Sequence, residues 1–239
     1  MKTNCSQPEI NLAEEREKFL KSVKPEEIAD NFPLFITRQE LARYLIRYEL
    51  FKKILNVKGS IVECGVYKGT SLMLFANLSA IFEPYALNRQ VIGFDSFEGF
   101  PSVHSKDNSD MAKVNDMSDT NLRVINKSME LYDGNRPIGH IPKVILVKGD
   151  AVQTIPTYFE KNPHILVALL YLDFDIYEPT KVALKTILPR MPKGAIIAFD
   201  ELNEKRWEGE TAALLETFNL NNYEIKKFTE EPHISYIRL

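Results

Sequence analysis

Five short apolar runs constrain this chain more than any other feature: Ile61–Cys64, Val91–Phe94, Val144–Val147, Ile165–Leu172 and Ala195–Phe199. None alternates apolar with polar residues, as a strand with one wet face would. Uniformly apolar runs of this length suit strands buried on both faces, and helix-like segments between them imply a parallel sheet. Two more polar runs, "YEIKKF" and "HISYIRL", close the chain and are near enough in sequence to pair as an antiparallel hairpin. The expected class is α/β: a mostly parallel seven-stranded sheet with an antiparallel C-terminal strand, flanked by helices.

The ends of the apolar runs read "VECGVYKG", "GFDSFEGFP", "VKGDA", "YLDFDIY" and "AFDEL", and each carries an acid. Ligands of an open α/β sheet bind beyond the carboxyl ends of its strands. A single Asp there commonly caps the following helix. Acids at every strand end gather negative charge along one edge, which a cationic cofactor, a metal ion, or both would relieve. Gly65 and Gly69 permit a tight turn and close approach of a ligand. The turn is neither G-x-G-x-x-G nor a P-loop, so a phosphate cradle is not indicated. S-adenosylmethionine, with a positive amino group and sulfonium and no phosphate, suits a glycine turn flanked by acid. The strand outline is also that of a Rossmann-like class I S-adenosylmethionine methyltransferase. Asp95, at the second strand end, is placed to accept hydrogen bonds from ribose hydroxyls, as the ribose acid of a dinucleotide fold does.

The segments "GSIVECGVYKGTS", "GFDSFEGFP", "VKGDAVQTIP", "LLYLDFDIYEPT" and "GAIIAFDE" occur in this order between about Arg38 and Phe218. In these the chain resembles the macrocin O-methyltransferase family. The resemblance implies bound S-adenosylmethionine, a divalent cation (usually magnesium) and a hydroxylated sugar acceptor. It implies cofactor contacts from Glu63, Gly65, Val66, Tyr67, Gly69, Thr70 and Ser71 at the first strand end. Asp95, Ser96 and Phe97 match the ribose motif, and Gly149, Asp150 and Ala151 the turn beside the adenine. Asp173 matches both the cofactor site and the first acid of the metal motif. Asp200 with Glu201 matches the later metal pair, where the family more often has two aspartates, so Glu201 reaches the metal directly or through water.

The chemistry of the acids agrees with that reading. Asp173, Asp200 and Glu201 are hard oxygen donors of the kind magnesium takes. His104, His140, His164 and His233 are scattered and read as surface or packing residues, so no zinc set is formed. A sugar hydroxyl is a poor nucleophile at neutral pH and needs a base. Asp173 and Asp175 are the candidates, although Asp175 could instead cap a helix starting near Pro179. A catechol or phenol methyltransferase, or a non-catalytic cofactor-binding scaffold, are the competing readings.

Net charge is −3, from 30 basic and 33 acidic side chains, which gives no basis for general nucleic-acid binding. No N-terminal apolar signal is present, and the longest apolar run is too short to span a bilayer. A cytoplasmic enzyme without a membrane partner, acting on a small molecule, is expected. Of the two cysteines, Cys64 reads as a small core residue, and Cys5 lies in a polar, loose-looking start. Residues 1–58 form an expected N-terminal helical segment and 59–239 the methyltransferase core. In the former, Thr37 and Glu40 form a capping box. Leu41, Tyr44, Leu45, Tyr48, Phe51 and Leu55 then share one helix face that packs on the core or on another subunit; a homo-oligomer, dimer or larger, is expected. Residues 100–143 are polar and break the strand–helix alternation, so they read as a lid or acceptor-binding insertion. Arg123, Lys127 and Arg136 are its candidate cations for a diphosphate.

Overall fold

β1 (Ser60–Cys64) and β4 (Val167–Leu172) lie side by side in the middle of the sheet, and every residue of both is buried. The computed structural model describes residues 6–108 and 110–239, so Cys5 and the rest of 1–5 lie outside the described residues. Around the central pair run β2 (Val91–Asp95), β3 (Val144–Lys148), β5 (Ile196–Phe199), β6 (Ile225–Lys227) and β7 (Ser235–Arg238). The seven strands follow the order β3-β2-β1-β4-β5-β7-β6. β1 to β5 pair in parallel, and β7 runs antiparallel to both β5 and β6. The expected sheet is therefore present, with the fourth run entering it only at Val167.

Each parallel strand feeds a helix that returns over the sheet. α4 (Thr70–Phe82) follows β1, α5 (Leu122–Gly134) follows β2, α6 (Ala151–Lys161) follows β3, α7 (Tyr177–Ile187) follows β4 and α8 (Glu208–Thr217) follows β5. Helix α5 corrects the reading of 100–143 as one insertion. Asn121 caps it by accepting the Val124 amide at 3.2 Å, and Ile125 and Tyr132 are buried along one side. Tyr132 Oη donates to the Ala76 carbonyl in α4 at 2.7 Å. The alternation is thus intact, and the irregular part is the loop of residues 96–121.

Alternation of side chains splits the core into two layers. Val62, Phe94, Leu170 and Phe199 face α6, α7 and α8, whereas Ile61, Leu169, Tyr171 and Ala198 face α4 and the end of α3 (Arg38–Ile54). Helix α3 buries Ile46, Arg47, Leu50, Phe51 and Ile54. This corrects the expected face: Leu41 and Leu45 are exposed, because the stripe is rotated toward Arg47. At the amino end of the sheet, Arg89 closes the C-terminus of α3 by donating to the carbonyls of Gly59 at 2.8 Å and Val57 at 3.0 Å. Lys143, just before β3, is buried there and donates to the Ala86 carbonyl at 2.5 Å.

The chain divides into a unit ending at Arg43 and a unit from Tyr44 to Leu239, so the boundary falls within α3 rather than at 58. In the first unit α1 (Gln7–Ser22) begins with a Ser6–Glu9 capping box. After it come α2 (Pro25–Asp30) and a 3-10 turn at Phe32–Leu34. The Thr37–Glu40 box forms as expected, with the Thr37 amide 2.7 Å from Glu40 Oε2 and the Glu40 amide 3.2 Å from Thr37 Oγ1. Arg16 joins Glu40 at 2.8 Å, and Phe19 stacks on Phe35 with ring centroids 5.9 Å apart. Among the described residues no helix is long and apolar enough to cross a membrane.

Candidate active site

The strand order reverses between β1 and β4, and the two strand ends touch there. The Asp173 amide donates to the Cys64 carbonyl at 2.8 Å. Gly65, at φ +93°, lies so close to Asp173 that an added Cβ would stand 2.0 Å from the Asp173 carbonyl oxygen. Only glycine fits this contact, which seats the turn after β1 directly on the end of β4. Gly69, at φ +83°, then opens α4, with the Ile125 side chain of α5 lying 3.2 Å from where its Cβ would be.

The turn between them is held from β2. Asp95 Oδ2 accepts the amides of Val66 and Tyr67, both at 2.8 Å, while Oδ1 accepts the Phe97 amide at 2.6 Å. Much of the acceptor capacity expected for ribose hydroxyls therefore goes to the backbone of this chain. Tyr67 and Phe97 take positive φ, at 49° and 55°. Ser96 closes its own turn, donating to the Gly99 carbonyl at 2.5 Å and accepting the Glu98 amide at 3.0 Å. At the end of β3, Gly149 donates its amide to the Asp95 carbonyl at 2.9 Å. Asp150 caps α6 by accepting the Val152 amide at 3.0 Å, and Ala151 is packed in the core. The capping reading of a strand-end acid therefore holds for Asp150.

Glu63 sits opposite Gly93 on β2 and Tyr171 on β4, on the sheet face that carries α3 and α4. It is only 1% exposed. Burial pushes its carboxyl well above the usual range; Arg47 and a hydrogen bond from Ser71 oppose that shift, whereas the charges of Asp173 and Asp95 add to it. Oε2 has no hydrogen-bond partner among the described residues. An orphaned, buried acceptor beside the glycine turn fits the amino group of S-adenosylmethionine. Thr70 is exposed at the start of α4.

Arg47 was not among the residues singled out from the sequence. Helix α3 places its guanidinium 5.0 Å from the Tyr171 ring centroid and 3.9 Å from Asp200 Oδ1, with the residue only 6% exposed. Tyr171 Oη donates to Asp200 Oδ1 at 2.6 Å. The charge concentrated at the strand ends is thus offset in part by a side chain of the chain itself. Glu210, in α8, was missed as well. It is fully buried and accepts the Glu201 amide at 2.9 Å. Burial, together with the charges of Asp200, Asp175 and Asp173, pushes its carboxyl well above the usual range. No motif marks either residue; Arg47 could have been found as the one charged position on the stripe Ile46, Leu50, Ile54.

Asp175 is buried and adopts φ +64° just past β4. A non-glycine residue held in that region concentrates at functional sites, because the surroundings must over-determine it. Helix α7 starts at Tyr177, earlier than expected, and its Tyr177 amide goes to Asp107 Oδ1 at 2.7 Å. Asp107 comes from the 96–121 loop and also accepts the His104 amide through Oδ2 at 2.8 Å. Nearby, Lys106 and Lys181 converge with Tyr177 on Glu216. At its far end the loop returns to the glycine turn, where Asp119 bonds Tyr67 Oη and, at 2.7 Å, Lys68 Nζ. Of the proposed diphosphate cations, Lys127 pairs with Glu130 at 2.7 Å and Arg136 with Asp133 at 2.6 Å, while Arg123 is exposed.

Asp173, Asp200 and Glu201 do not form a ready magnesium site. Among the described residues no group of three or more His, Cys, Asp or Glu side chains stands where it could hold a metal ion. Asp200 is turned to Tyr171 and lies near Arg47, and Glu201 is half-buried above Glu210. His104, His140, His164 and His233 are all exposed, and Cys64 is a buried free thiol.

A sequence profile of the macrocin O-methyltransferase (TylF) family matches residues 48–222. The chain belongs to the macrocin O-methyltransferase family. Its sheet order is that of class I S-adenosylmethionine methyltransferases. The crystal structure of CalS11, a calicheamicin methyltransferase, superposes with a TM-score of 0.92 at 32% identity, covering 99% of this chain and 94% of that one. An apo structure of CalS11, described as a TDP-rhamnose 3'-O-methyltransferase, gives 0.84 at 30% identity, covering 99% and 96%. A curated relative is the 8-demethyl-8-(2,3-dimethoxy-alpha-L-rhamnosyl)-tetracenomycin-C 4'-O-methyltransferase of Streptomyces olivaceus, 28% identical over 158 residues. That match covers 61% of this macrocin O-methyltransferase family member and spans 54% of the relative's length.

Proposed function

We propose that this chain transfers the methyl group of S-adenosylmethionine to a hydroxyl of a sugar, with a rhamnose-type acceptor as the first candidate. The observation that carries the reading is the buried, orphaned Glu63 acceptor beside a glycine turn pressed on the end of β4. Support for the sugar comes from the relatives: CalS11 is described as acting on TDP-rhamnose, and the Streptomyces relative is named for a rhamnosyl compound. The small-molecule acceptor could thus be a nucleotide sugar or a glycoside. A cytoplasmic location and a homo-oligomer, dimer or larger, remain part of the proposal.

When bound, S-adenosylmethionine supplies an electrophilic methyl group on its sulfonium. Glu63 accepts from the amino group, and Gly65, Val66, Tyr67 and Gly69 give the close backbone approach. Asp95 fixes that turn and offers its remaining acceptor capacity to the ribose, with Ser96 and Phe97 beside it. Gly149, Asp150 and Ala151 border the adenine side. Asp175 takes the proton of the acceptor hydroxyl, with Asp173 as the other candidate. Holding the oxygen in line with the methyl supplies much of the rate gain. The loop of residues 96–121 covers the acceptor as a lid. Magnesium is a separate clause of the proposal, supported by the hard donors of Asp173, Asp200 and Glu201.

The test is mass spectrometry of products from methyl-labelled S-adenosylmethionine with TDP-rhamnose, a rhamnosyl glycoside and a catechol. Labelled sugar with unlabelled catechol is the expected result. Label on the catechol alone would overturn the sugar reading, and binding without transfer to any acceptor would favour a scaffold.

A further inference from the structure

The amino-acid end of S-adenosylmethionine is a zwitterion, with an ammonium and a carboxylate on the same carbon. Glu63 answers the ammonium, whereas the two cations within the strand-end motifs, Lys68 and Lys148, are exposed and paired with Asp119 at 2.7 Å and Glu98 at 2.8 Å. We propose that Arg47, delivered by α3, binds the cofactor's carboxylate, so that Arg47 and Glu63 together grip the two charges of the amino-acid end.

The placement supports this. Glu63 and Tyr171 are register partners on adjacent strands, and the Arg47 guanidinium lies 5.0 Å from the Tyr171 ring centroid. The influence of Arg47 on the Glu63 carboxyl puts the two side chains in the same electrostatic neighbourhood. Both are nearly buried, Arg47 at 6% and Glu63 at 1% exposure, beside the turn that Gly65 seats on Asp173. Arg47 also stands 3.9 Å from Asp200 Oδ1, which places its charge beside the strand-end acids. A planar guanidinium matches a carboxylate with two parallel N–H donors, which an ammonium cannot do. It also keeps its charge at any working pH, so the Arg47 half of the grip does not depend on titration.

This inference rests on the S-adenosylmethionine reading above, and the experiment separates the two. Calorimetry on the full chain would compare S-adenosylhomocysteine with its decarboxylated counterpart, which keeps the ammonium and lacks the carboxylate. The unaltered chain should favour the carboxylate-bearing ligand by roughly ten- to a hundredfold, the scale of a lost charge-assisted hydrogen bond. Arg47→Met should lose that preference, weakening the first ligand by the same factor and leaving the second within about threefold. Arg47→Lys should keep part of the preference, and Glu63→Gln should weaken both ligands together. If Arg47→Met weakens both ligands equally, or neither, Arg47 only balances the acids and the inference falls. Should Arg47→Met fail to fold, Arg47→Lys decides, since an unchanged preference there overturns the bidentate grip. If the unaltered chain binds neither ligand, the cofactor reading itself fails and takes this inference with it.

Discussion

Asp95 holds the amide of Tyr67 at 2.8 Å with the same carboxylate oxygen that holds Val66. The acid after β2 thereby fixes the shape of the turn after β1. Asp95→Ala should lower stability by about 1–3 kcal/mol and weaken S-adenosylmethionine about ten- to a hundredfold. Asp95→Asn keeps one acceptor oxygen and should fall between. Melting curves and calorimetry on both variants check this; unaltered melting and affinity in Asp95→Ala would show that the clamp carries no weight.

Gly65 combines positive φ with a would-be Cβ 2.0 Å from the Asp173 carbonyl oxygen. Gly65→Ala should therefore cost about 2–5 kcal/mol, from overpacking and backbone strain together. Gly134, at the end of α5, has nothing within 4 Å of its Cβ position, so Gly134→Ala should be neutral or stabilise by up to about 1 kcal/mol. Denaturant unfolding of the pair would reveal whether the seat of the turn on β4 is as tight as the geometry says.

Burial pushes the Lys143 ammonium down to about 8 from its ordinary value of 10.5. Between those values the unfolded chain binds more protons than the folded one, so stability due to this group rises with pH across that window. Below about 8 both states are protonated and the burial penalty is fully felt. Lys143→Met removes the penalty and the trend. The stability difference should shift toward the unaltered chain as pH rises from 8 to 10, and a difference that stays flat over that range would exclude a buried ammonium.

On the magnesium clause, methyl transfer should stop in EDTA, return with magnesium and return in part with manganese, which also takes octahedral oxygen ligands. S-adenosylmethionine affinity should be the same with and without chelator, because Arg47 already offsets the acids near the cofactor end. Turnover at full rate in excess chelator would remove magnesium from the reaction.

The lid reading makes its own demand. Hydrogen exchange in residues 110–121 should slow when the acceptor binds, whereas the segment around Asp107, tied to the Tyr177 amide at 2.7 Å, should be protected in both states. Equal exchange across 110–121 with and without acceptor would count against a lid.

The sheet was legible because its strands are buried on both faces, which leaves an unbroken apolar run in the sequence. The position of the acids was legible for a related reason: Glu63, Asp95, Asp173 and Asp200 sit at run ends where the ladder stops. Their duties were harder to read. Asp95 and Asp150 spend acceptors on backbone amides, and nothing in composition separates that from ligand binding. Helix α5 was hidden because only Ile125 and Tyr132 of its length are buried, so its polar surface dominates the segment. Arg47 and Glu210 were passed over for the opposite reason, since a charged residue is read as solvated until tertiary packing encloses it; only the apolar stripe around Arg47 gave a signal.

Asp107 belongs to the loop by sequence and to the sheet end by its bonds. Its carboxylate caps α7, and Gly209 in α8 leaves it room that no side chain could share, since a Cβ there would lie 2.2 Å from Oδ1. For loop transplantation between members of this family, Asp107 acts as a fixed joint. Whatever precedes it must be moved together with α7 and α8 as one cassette, while insertions and deletions are best confined to the stretch between Asp110 and the Asp119 anchor.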